Sequence, residues 1–382
     1  MRVLILGGDG YLGWPTAMNL TAKGHQVAVV DNYLRRRLCQ EIDVRPLFMV
    51  PNLNERAELW EQKSGQHIPV YIGDLAAWDF MSETFRVFQP EAIVHYAEQP
   101  SAPFSMMDRR AATLTIQNNL NVTANVVFAV REFAPDAHIV KIGTMGEYGT
   151  PNIDIEEGWI DIEHKGRRQK FLYPRQAGSL YHTTKIMDTD LLWFYVRMWG
   201  LRVTDLMQGP VYGLQTDENE NDQNLMPFFN YDEVFGTVVN RFVVQAVADY
   251  PLTIFGKGGQ TRGYLDLRDT LQCVRLSLEN PPKSGELRIF NQFVETFSVN
   301  DLAKRIKKAG KQLGLEVKLK SIKNPRVELE DHYYRPEHTG LLELGLQPHY
   351  LSDEVLCKMI EIAIKNRESI RKDTIFRGVQ WK

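Results

Sequence analysis

The sequence predicts an α/β fold, with a doubly wound parallel sheet and a smaller mixed α/β domain. Short apolar stretches of strand length alternate with segments whose apolar residues recur at helical spacing, up to about Thr204. The first apolar stretch also leads directly into closely spaced glycines at a helix start, as in sheets that bind nucleotides. With 382 residues, the chain is long enough for two domains or for one large α/β unit with a cap.

The first strand and the helix after it are joined by a glycine-rich turn. An apolar stretch ends at Leu6 and is followed by the glycines Gly7, Gly10 and Gly13. Glycine suits these positions because a pyrophosphate must lie close against backbone N–H groups at a helix N-terminus. The helix is predicted to run to about Lys23, because Gly24 has the position of a C-terminal cap. The pattern predicts a Rossmann dinucleotide-binding site.

The end of the second strand indicates which dinucleotide is bound. That strand, predicted over 26–30, ends at Asp31, about 20 positions past the glycines, where an acid binds the ribose 2′-hydroxyl of NAD. Asp31 would repel a 2′-phosphate, so NAD is favoured over NADP. Arg35, Arg36 and Arg37 leave NADP open as an alternative, because arginines could hold that phosphate.

Later strands bring polar residues to one edge of the sheet. Strands are predicted over 68–72, 92–96 and 139–142, with a helix over about 115–133. Because ligands bind at the carboxyl ends of such strands, Asp74 is expected near the adenine and Thr144 beside the cofactor.

The most telling motif is Tyr181 with Lys185, four residues apart on a predicted helix and therefore on one face. Near a bound nicotinamide, a lysine cation would favour the phenolate and pull the phenol pKa of about 10 toward neutrality. Tyr181 is thus predicted to accept a proton at pH 7, with Thr144 completing a three-residue constellation.

Two domains are expected. Residues 1–205 form an NAD-binding domain to which part of 236–275 returns, and 206–382 form mainly a nucleotide-sugar-binding domain. The polar segment 217–224 indicates an exposed loop, and helices are predicted around 299–313 and 353–370.

Bulk properties exclude several classes of protein. A formal charge of −3 and a pI near 6.3 give no electrostatic footprint for nucleic acid. The cysteines Cys39, Cys273 and Cys357 lack metal-type spacing, and the apolar run 191–196 is too short to span a bilayer. The first strand begins at residue 2, which leaves no room for a targeting segment. We expect a cytoplasmic protein that binds no metal, nucleic acid or membrane.

The glycines, Thr144, Tyr181 and Lys185 together resemble extended short-chain dehydrogenases/reductases that act on nucleotide sugars. Longer stretches are similar to the UDP-sulfoquinovose synthase family. These stretches are GTMGEYGTPNIDIEEG (143–158), YDEVFGT (231–237), GKGGQTRGYLD (256–266), NPRVE (324–328), HYY (332–334) and PHYLSD (348–353). The similarity extends over nearly the whole chain.

The resemblance implies an enzyme that joins sulfite to UDP-glucose, giving UDP-sulfoquinovose and water; the reverse reaction would hydrolyse a carbon–sulfur bond. It implies tightly held NAD that is regenerated in each cycle. Oxidation at C4 acidifies the C5 hydrogen, loss of that proton and the C6 hydroxyl gives a 4-keto-5,6-ene, and sulfite adds at C6 before the hydride returns. A homodimer through the helices near 115–133 and 180–198 is expected by analogy.

The resemblance also implies roles for individual residues. Tyr181 would take the C4 hydroxyl proton, Lys185 would lower its pKa and bind the nicotinamide ribose, and Thr144 would polarise the ketone. Glu147 is the candidate base at C5 or acid at C6, with ordering of its loop as the alternative. His182 would attract sulfite or pack in the core.

Two positions depart from the pattern of relatives. Met145 stands where sugar 4,6-dehydratases carry an aspartate that helps to expel the C6 hydroxyl, and Pro100 stands where plant members carry arginine. The first departure leaves the elimination acid open. The second means that one cationic contact to the sugar, the diphosphate or sulfite is either missing or supplied by another residue.

The remaining site residues follow from the motifs and from the resemblance. The cofactor is assigned to Gly7, Asp9, Gly10, Tyr11, Leu12, Gly13, Asp31, Asn32, Arg35, Arg36, Asp74, Leu75, Asn118, Tyr181 and Lys185. The substrate is assigned to Gln99, Thr144, Met145, Glu147, His182, Gln208, Val211, Gln260, Thr261, Arg262 and Arg326. A UDP-sugar 4-epimerase, a 4,6-dehydratase and a non-catalytic NAD-binding protein are the alternatives, although a pure binder has no use for a proton-transfer set.

Overall fold

The computed structural model describes residues 1–220, 222–324 and 332–379. The strands in chain order are β1 (Arg2–Leu6), β2 (Gln26–Asp31), β3 (Val70–Ile72), β4 (Ala92–His95), β5 (His138–Thr144), β6 (Trp159–His164), β7 (Arg167–Leu172), β8 (Arg202–Gln208), β9 (Val211–Tyr212), β10 (Leu252–Phe255), β11 (Thr261–Asp266), β12 (Glu286–Gln292), β13 (Glu295–Ser298) and β14 (Leu319–Ile322).

The helices in chain order are α1 (Gly13–Ala22), α2 (Leu34–Glu41), α3 (Leu53–Ser64), α4 (Trp78–Phe88), α5 (Ala102–Ser105), α6 (Arg109–Phe133), α7 (Leu180–Trp199), α8 (Val238–Val247), α9 (Leu267–Glu279), α10 (Val299–Gln312), α11 (Gly340–Glu343), α12 (Asp353–Lys365) and α13 (Lys372–Ile375). Two 3₁₀ helices, Met145–Glu147 and Arg367–Ser369, complete the set within the described ranges.

A seven-stranded sheet in the order β12-β8-β5-β4-β1-β2-β3 forms the centre of the larger domain, and every pair in it is parallel. Alternate residues of β1 supply two cores: Leu4 packs on the side of α6 and α7, and Val3 on the side of α1, α3 and α9. Both faces are covered, so the strands are apolar throughout rather than alternating. The predicted α/β class and parallel sheet are confirmed.

Local chemistry explains where the elements begin and end. Helix α6 starts at Arg109, earlier than the predicted 115, because the Asp108 side chain accepts a hydrogen bond from the Ala111 N–H and caps the helix. Helix α7 starts at a Ser179 cap and ends at Gly200, whose φ of 71° is that of a left-handed cap. Strand β3 starts only after Pro69, a residue without an N–H to donate.

The smaller domain is built around α8, α10 and α12, with Phe242, Ile306 and Ile360 in its core. The segment that rejoins the parallel sheet is α9 and β12, whereas α8 and β10 pack with the smaller domain. The return thus spans 267–292, which includes the last part of the expected 236–275 and continues beyond it, and the expected boundary at 205 falls inside β8. Apolar periodicity cannot reveal this, because α8 and α9 carry similar buried stripes.

An antiparallel hairpin of β6 and β7 stands apart from both domains and had no counterpart in the sequence prediction. Its strands are mostly exposed, and Trp159 anchors it on Trp193 of α7 with ring centroids 5.1 Å apart. Across the described ranges, every helix is too short or too polar to cross a bilayer.

Candidate active site

A cavity of about 700 Å³ opens at the carboxyl ends of the parallel strands and extends into the smaller domain. Most of the predicted site residues line it: Gly7, Asp9, Gly10, Tyr11, Leu12, Gly13, Asp31, Asn32, Arg35, Asp74, Leu75, Gln99, Asn118, Thr144, Met145, Tyr181, His182, Gln208, Val211, Gln260 and Arg262. Four predicted residues do not line it, namely Arg36, Glu147, Lys185 and Thr261. Arg326 lies outside the described residues.

The glycine-rich turn between β1 and α1 fits a dinucleotide. Gly7 has a φ of 91°, and a Cβ on it would lie 2.8 Å from the Tyr96 backbone. A Cβ on Gly13 would lie 2.0 Å from the Gly7 carbonyl oxygen, so the start of α1 can pack this closely only with glycine. The turn thus presents the backbone at the N-terminus of α1 to the cavity, as pyrophosphate binding requires.

Asp31 lies at the end of β2, as predicted for ribose recognition. Its oxygens accept hydrogen bonds from the N–H groups of Asp9 (2.9 Å) and Tyr33 (2.6 Å), which fix the carboxyl at the cavity wall. Burial, reinforced by the nearby Asp9, raises the pKa of Asp31 to about 6. The carboxyl is therefore still ionised at pH 7.

Two arginines near Asp31, Arg36 and Arg56, are bonded to the Asp9 carboxylate. Arg36 donates to both oxygens of Asp9 at 2.7 and 2.8 Å and to two backbone carbonyls, so its guanidinium is engaged inside the protein. This position is at odds with the prediction that Arg36 contacts the cofactor, and it leaves less positive charge for a 2′-phosphate. Arg56, buried against Trp14, completes this network through Asp9 at 2.8 Å and was not detected from the sequence.

Thr144, Tyr181 and His182 meet at the centre of the cavity wall. The Thr144 hydroxyl accepts from the Gly146 N–H at 3.2 Å and lies between β5 and the 3₁₀ helix. Gly146 is required beside the His182 ring, because a Cβ there would lie 2.4 Å from Nε2. The Ser179 hydroxyl, 3.0 Å from Nδ1, orients the same ring. His182 is thus a positioned cavity residue rather than a core histidine.

Behind Tyr181 lies the open cluster, a name we give to Glu98, Lys185 and Asp188. Lys185 Nζ donates to Glu98 Oε1 and lies 3.6 Å from Asp188 Oδ2, and all three side chains are at least 95% buried. Burial works against the charge of Lys185, but Glu98 and Asp188 outweigh it and raise its pKa. We call the cluster open because Glu98, unlike its partners, lines the cavity.

The lowering of the Tyr181 pKa is predicted for a site with bound nicotinamide, whereas the protein groups by themselves act in the opposite direction. Burial first, and then the Glu98 carboxylate, raise the pKa of Tyr181 well above its usual value. The Lys141 cation acts in the opposite direction without offsetting this rise. The sequence motif places the lysine on the correct helix face but carries no information about the carboxylate that pairs with it.

A second set of buried charges, the closed cluster, consists of Lys141, Glu147, Arg175 and Asp205. Lys141 Nζ lies 3.1 Å from Asp205 Oδ2 and 3.4 Å from Glu147 Oε1, and Arg175 Nη1 lies 3.2 Å from Glu147 Oε2. The side chains are 0 to 4% exposed, and none of the four lines the cavity. The two cations face two carboxylates, so the cluster is balanced.

The position of Glu147 in the closed cluster bears on its two predicted roles, proton transfer and ordering of its loop. Its Oε1 also accepts from the Thr144 N–H at 3.2 Å, as the reciprocal half of a capping box. This agrees with the alternative prediction, a carboxylate that orders the loop after β5. The carboxyl is fully buried and does not line the cavity, so its position lends no support to the role of a proton-transfer group, which stays a prediction.

The polar residues assigned to the substrate are partly engaged within the protein. The Gln99 amide donates to Thr115 Oγ1 (2.9 Å) and accepts from the Ser101 N–H (2.6 Å), which orders the loop after β4. Arg262 donates to the Thr261 carbonyl at 2.8 Å and lies 2.9 Å from His332 Nε2. The guanidinium therefore enters the cavity from a fixed position.

Several cavity residues carry no sequence signal. Arg241 of α8 lies over the Phe255 ring at 5.6 Å in a segment that reads as an ordinary buried helix. Glu98, three residues past the end of β4, is a second such residue. Arg35, which the sequence does predict, lies 4.2 Å from the Phe235 ring centroid. Within the described ranges, no three His, Cys, Asp or Glu side chains are grouped to hold a metal ion.

Comparison with known proteins agrees with the geometry. Residues 3–291 match the model of the NAD dependent epimerase/dehydratase family. The chain is 49% identical over 381 residues to "UDP-sulfoquinovose synthase, chloroplastic" of Spinacia oleracea, covering 100% of this chain and 79% of that protein. It is 46% identical over 385 residues to "UDP-sulfoquinovose synthase" of Sulfolobus acidocaldarius, covering 100% of this chain and 98% of that protein.

Among solved structures, the UDP-glucose 4-epimerase of Thermus thermophilus in complex with NAD superimposes with a TM-score of 0.67. The superposition covers 95% of this chain and 99% of that one at 22% identity, and it supports the fold. The predicted cytoplasmic location stays a prediction, and the spinach relative is named as a chloroplast protein.

Proposed function

Because the chain belongs to the NAD dependent epimerase/dehydratase family and, within it, to the UDP-sulfoquinovose synthases, we propose that it converts UDP-glucose and sulfite to UDP-sulfoquinovose and water. The observation that carries the proposal is identity of 49% and 46% along the full chain with two proteins of that name, one from a plant and one from an archaeon. In reverse, the overall reaction hydrolyses a carbon–sulfur bond.

The chemistry requires activation of a carbon that bears a poor leaving group. The C6 hydroxyl of glucose has no acidic hydrogen beside it until C4 is oxidised to a ketone. Loss of the C5 proton and the C6 hydroxyl then gives a conjugated enone, to whose terminal carbon sulfite adds. NAD, when bound, takes the C4 hydride and gives it back. The glycine turn and Asp31 would hold it, and both fit that task.

Tyr181 and Thr144 handle the C4 oxygen in this proposal. Tyr181 takes the proton of the C4 hydroxyl, and Thr144 donates a hydrogen bond to the developing ketone. Both line the cavity, and Lys185 stands on the same helix face behind Tyr181. This arrangement of the three side chains supports an enzyme that transfers protons over a non-catalytic protein that only binds NAD.

Met145 favours the synthase over a 4,6-dehydratase. Its thioether carries no transferable proton, so the leaving C6 hydroxyl, which both reactions expel, must be protonated by a group other than the aspartate of the dehydratases. Met145 lines the cavity between Thr144 and Gly146 and is 5% exposed. An apolar side chain there leaves room for an added nucleophile without a carboxylate that would repel sulfite.

Cations in the cavity support binding of an anionic sugar nucleotide and of sulfite. Arg35, Arg241 and Arg262 line the same cavity as His182, and guanidinium groups suit diphosphate oxygens. Arg326 is assigned to the diphosphate by the family resemblance alone. Sulfite must approach a carbon near a diphosphate, so positive charge near His182 offsets the repulsion between the two anions.

We also propose a homodimer through α6 and α7. Apolar side chains on these helices are exposed, including Ile116 (39%), Phe128 (46%), Met187 (47%), Phe194 (46%) and Met198 (61%). Exposed apolar patches of this kind mark protein–protein interfaces. Sedimentation of the wild type and of Phe194→Glu tests this: a dimer that becomes a monomer supports it, and a wild-type monomer contradicts it.

Product analysis in deuterated buffer tests the function. With UDP-glucose and sulfite together, we expect a sulfonated UDP-sugar and no consumption of added NAD. Without sulfite, the oxidised sugar should remain bound and slowly exchange its C5 hydrogen for deuterium. Rapid formation of UDP-galactose would identify an epimerase, and release of a 4-keto-6-deoxy sugar would identify a dehydratase. Either outcome without any sulfonated product contradicts the proposal.

A further inference from the structure

Glu98 is a buried carboxyl in the cavity wall, three residues past the end of β4. Its side chain is 5% exposed, and Oε1 accepts a hydrogen bond from Lys185. The other oxygen, Oε2, has no hydrogen-bond partner among the described residues. Glu147 and Asp205 of the closed cluster also carry such an oxygen, but Glu98 differs because its carboxyl lines the cavity together with Tyr181, which points to a task in proton transfer.

The charged and titratable groups around Glu98 come from several elements. They are Tyr181, Lys185 and Asp188 on α7, His95 on β4, Lys141 on β5 and Glu147 in the 3₁₀ helix after β5. Burial and the neighbouring Lys185 hold the pKa of His95 well below its usual value, so this ring is neutral at pH 7. Lys141 and Glu147 are balanced within the closed cluster.

The open cluster therefore has one cation for two acids. If both Glu98 and Asp188 were ionised, one buried carboxylate would have no cation, so the pair holds one proton at neutral pH. Asp188 is the deeper of the two, with 0% exposure against 5% for Glu98, and Glu98 is the one bonded to Lys185. We assign this standing proton to Asp188 and the negative charge to Glu98.

We propose that Glu98 stores the proton of Tyr181, by way of Lys185, while Tyr181 acts on the C4 hydroxyl. This rests on the proposed function only for the C4 oxidation, a step that the epimerase and dehydratase alternatives share. Glu98 acts through Lys185 and touches neither the sugar nor its reacting carbons in this scheme.

The proton transfer balances in atoms and charge. The Lys185 ammonium gives a proton to Glu98, where a carboxylic O–H bond forms, and the resulting amine takes the phenolic proton of Tyr181 as that O–H bond breaks. The phenolate gained replaces the carboxylate lost, so the buried site acquires no net charge, and no electrons are transferred. Lys185 is then free to face the phenolate, which takes the proton of the C4 hydroxyl. Return of the hydride reverses the sequence.

The pH dependence of the half-reaction in Glu98→Gln tests this. With UDP-glucose alone, reduction of the bound NAD is followed by its absorbance in single-turnover experiments. In the wild type the transfer is internal, so the rate should be nearly constant around neutral pH. In Glu98→Gln the Tyr181 proton must leave to solvent, so the rate should fall about tenfold or more at pH 7 and rise close to tenfold per pH unit. A variant profile as flat as that of the wild type overturns the proposal.

A second measurement does not depend on the folding of that variant. Infrared difference spectra on addition of UDP-glucose should show a new carboxylic-acid C=O band in the wild type. The band should be absent in Tyr181→Phe, which has no proton to give, and shifted in Glu98→Asp. A wild type without the band contradicts proton storage. Product analysis with sulfite tests the proposed function separately, because the half-reaction does not depend on sulfite.

Discussion

The open cluster and the closed cluster lie beneath the same cavity and are both almost fully buried. In the closed cluster, Lys141 and Arg175 face Glu147 and Asp205, and none of the four lines the cavity. In the open cluster, one lysine faces two carboxyls, and Glu98 lines the cavity wall.

The difference shows that burial of charge alone does not identify a functional group. A balanced cluster without access to the cavity holds β5, β8 and the 3₁₀ helix in place and can exchange no proton with a substrate. An unbalanced cluster with access must hold a proton, and that proton is available for chemistry. Glu147, near Thr144, and Glu98, near Tyr181, are both buried glutamates. Only Glu98 belongs to an unbalanced cluster and lines the cavity.

Removal of the Tyr181 hydroxyl should have the greatest effect on activity. In Tyr181→Phe the ring keeps its packing but cannot transfer a proton, so turnover should fall about 10²-fold or more. Folding and NAD content should be unchanged, as judged by circular dichroism and by the cofactor released on unfolding. In the matched closed-cluster variant Glu147→Gln, the folded protein should still reduce its NAD with UDP-glucose. Near-normal turnover of Tyr181→Phe would assign the proton to another residue.

Substitution of Lys141 should mainly lower stability, whereas substitution of Lys185 should mainly abolish turnover. Lys141→Met leaves two buried carboxylates with one arginine, and the free energy of unfolding should fall by about 3–5 kcal/mol. Lys185→Met should cost less, about 1–3 kcal/mol, because Glu98 at the cavity can take up a proton, but it should abolish turnover. Urea denaturation and product assays check both halves. Equal losses of stability would remove the distinction between the clusters.

The sequence predicts the parallel sheet and the position of the cofactor because both depend on local patterns. Apolar strands, the glycines before α1 and Asp31 are readable from spacing alone. The hairpin of β6 and β7 is not, because its strands are mostly polar and exposed and pack on the fold through few apolar residues, among them Trp159.

Charge pairs between distant parts of the chain could not be predicted either. The pairs Lys185–Glu98 and Arg36–Asp9 join residues 87 and 27 positions apart. Each bears on the chemistry that its motif suggests, because Glu98 adds to the effect of burial in raising the Tyr181 pKa, and Asp9 engages an arginine that the sequence assigns to the cofactor. A motif gives the side chain and its helix face, whereas the partner that sets its charge comes from tertiary structure.

Removal of the Asp31 carboxylate, at the cofactor end of the cavity, should have a weaker effect, on NAD affinity. Asp31→Ala removes the acceptor for the ribose hydroxyls, and NAD binding should weaken by about 1.5–3 kcal/mol, the usual range for hydrogen bonds to a charged group. Titration of NAD and NADP into the cofactor-free protein measures this. The wild type should prefer NAD, and a preference for NADP would mean that Arg35 and Arg37 dominate.

The smallest effect should be the pH dependence that Asp31 gives to stability and to NAD affinity. Burial raises the pKa of Asp31 to about 6, above the value of about 3.9 for an unfolded chain. In the cofactor-free protein, its contribution to stability is therefore present below about pH 4 and is lost as the pH rises through about 6. NAD needs the ionised carboxyl, so its affinity should fall below pH 6, by at most about tenfold per pH unit. Asp31→Asn should show neither trend.

One experiment tests the central claim, that bound NAD oxidises UDP-glucose at C4 and that the oxidised sugar stays in the cavity until sulfite adds to it. The protein is incubated with UDP-glucose without sulfite, freed of unbound nucleotide and denatured, and the released molecules are identified by mass spectrometry. We expect NAD in oxidised or reduced form, together with a 4-keto or 4-keto-5,6-ene UDP-sugar at comparable amount. Release of NADP, or of UDP-galactose as the sole sugar nucleotide besides UDP-glucose, would contradict it.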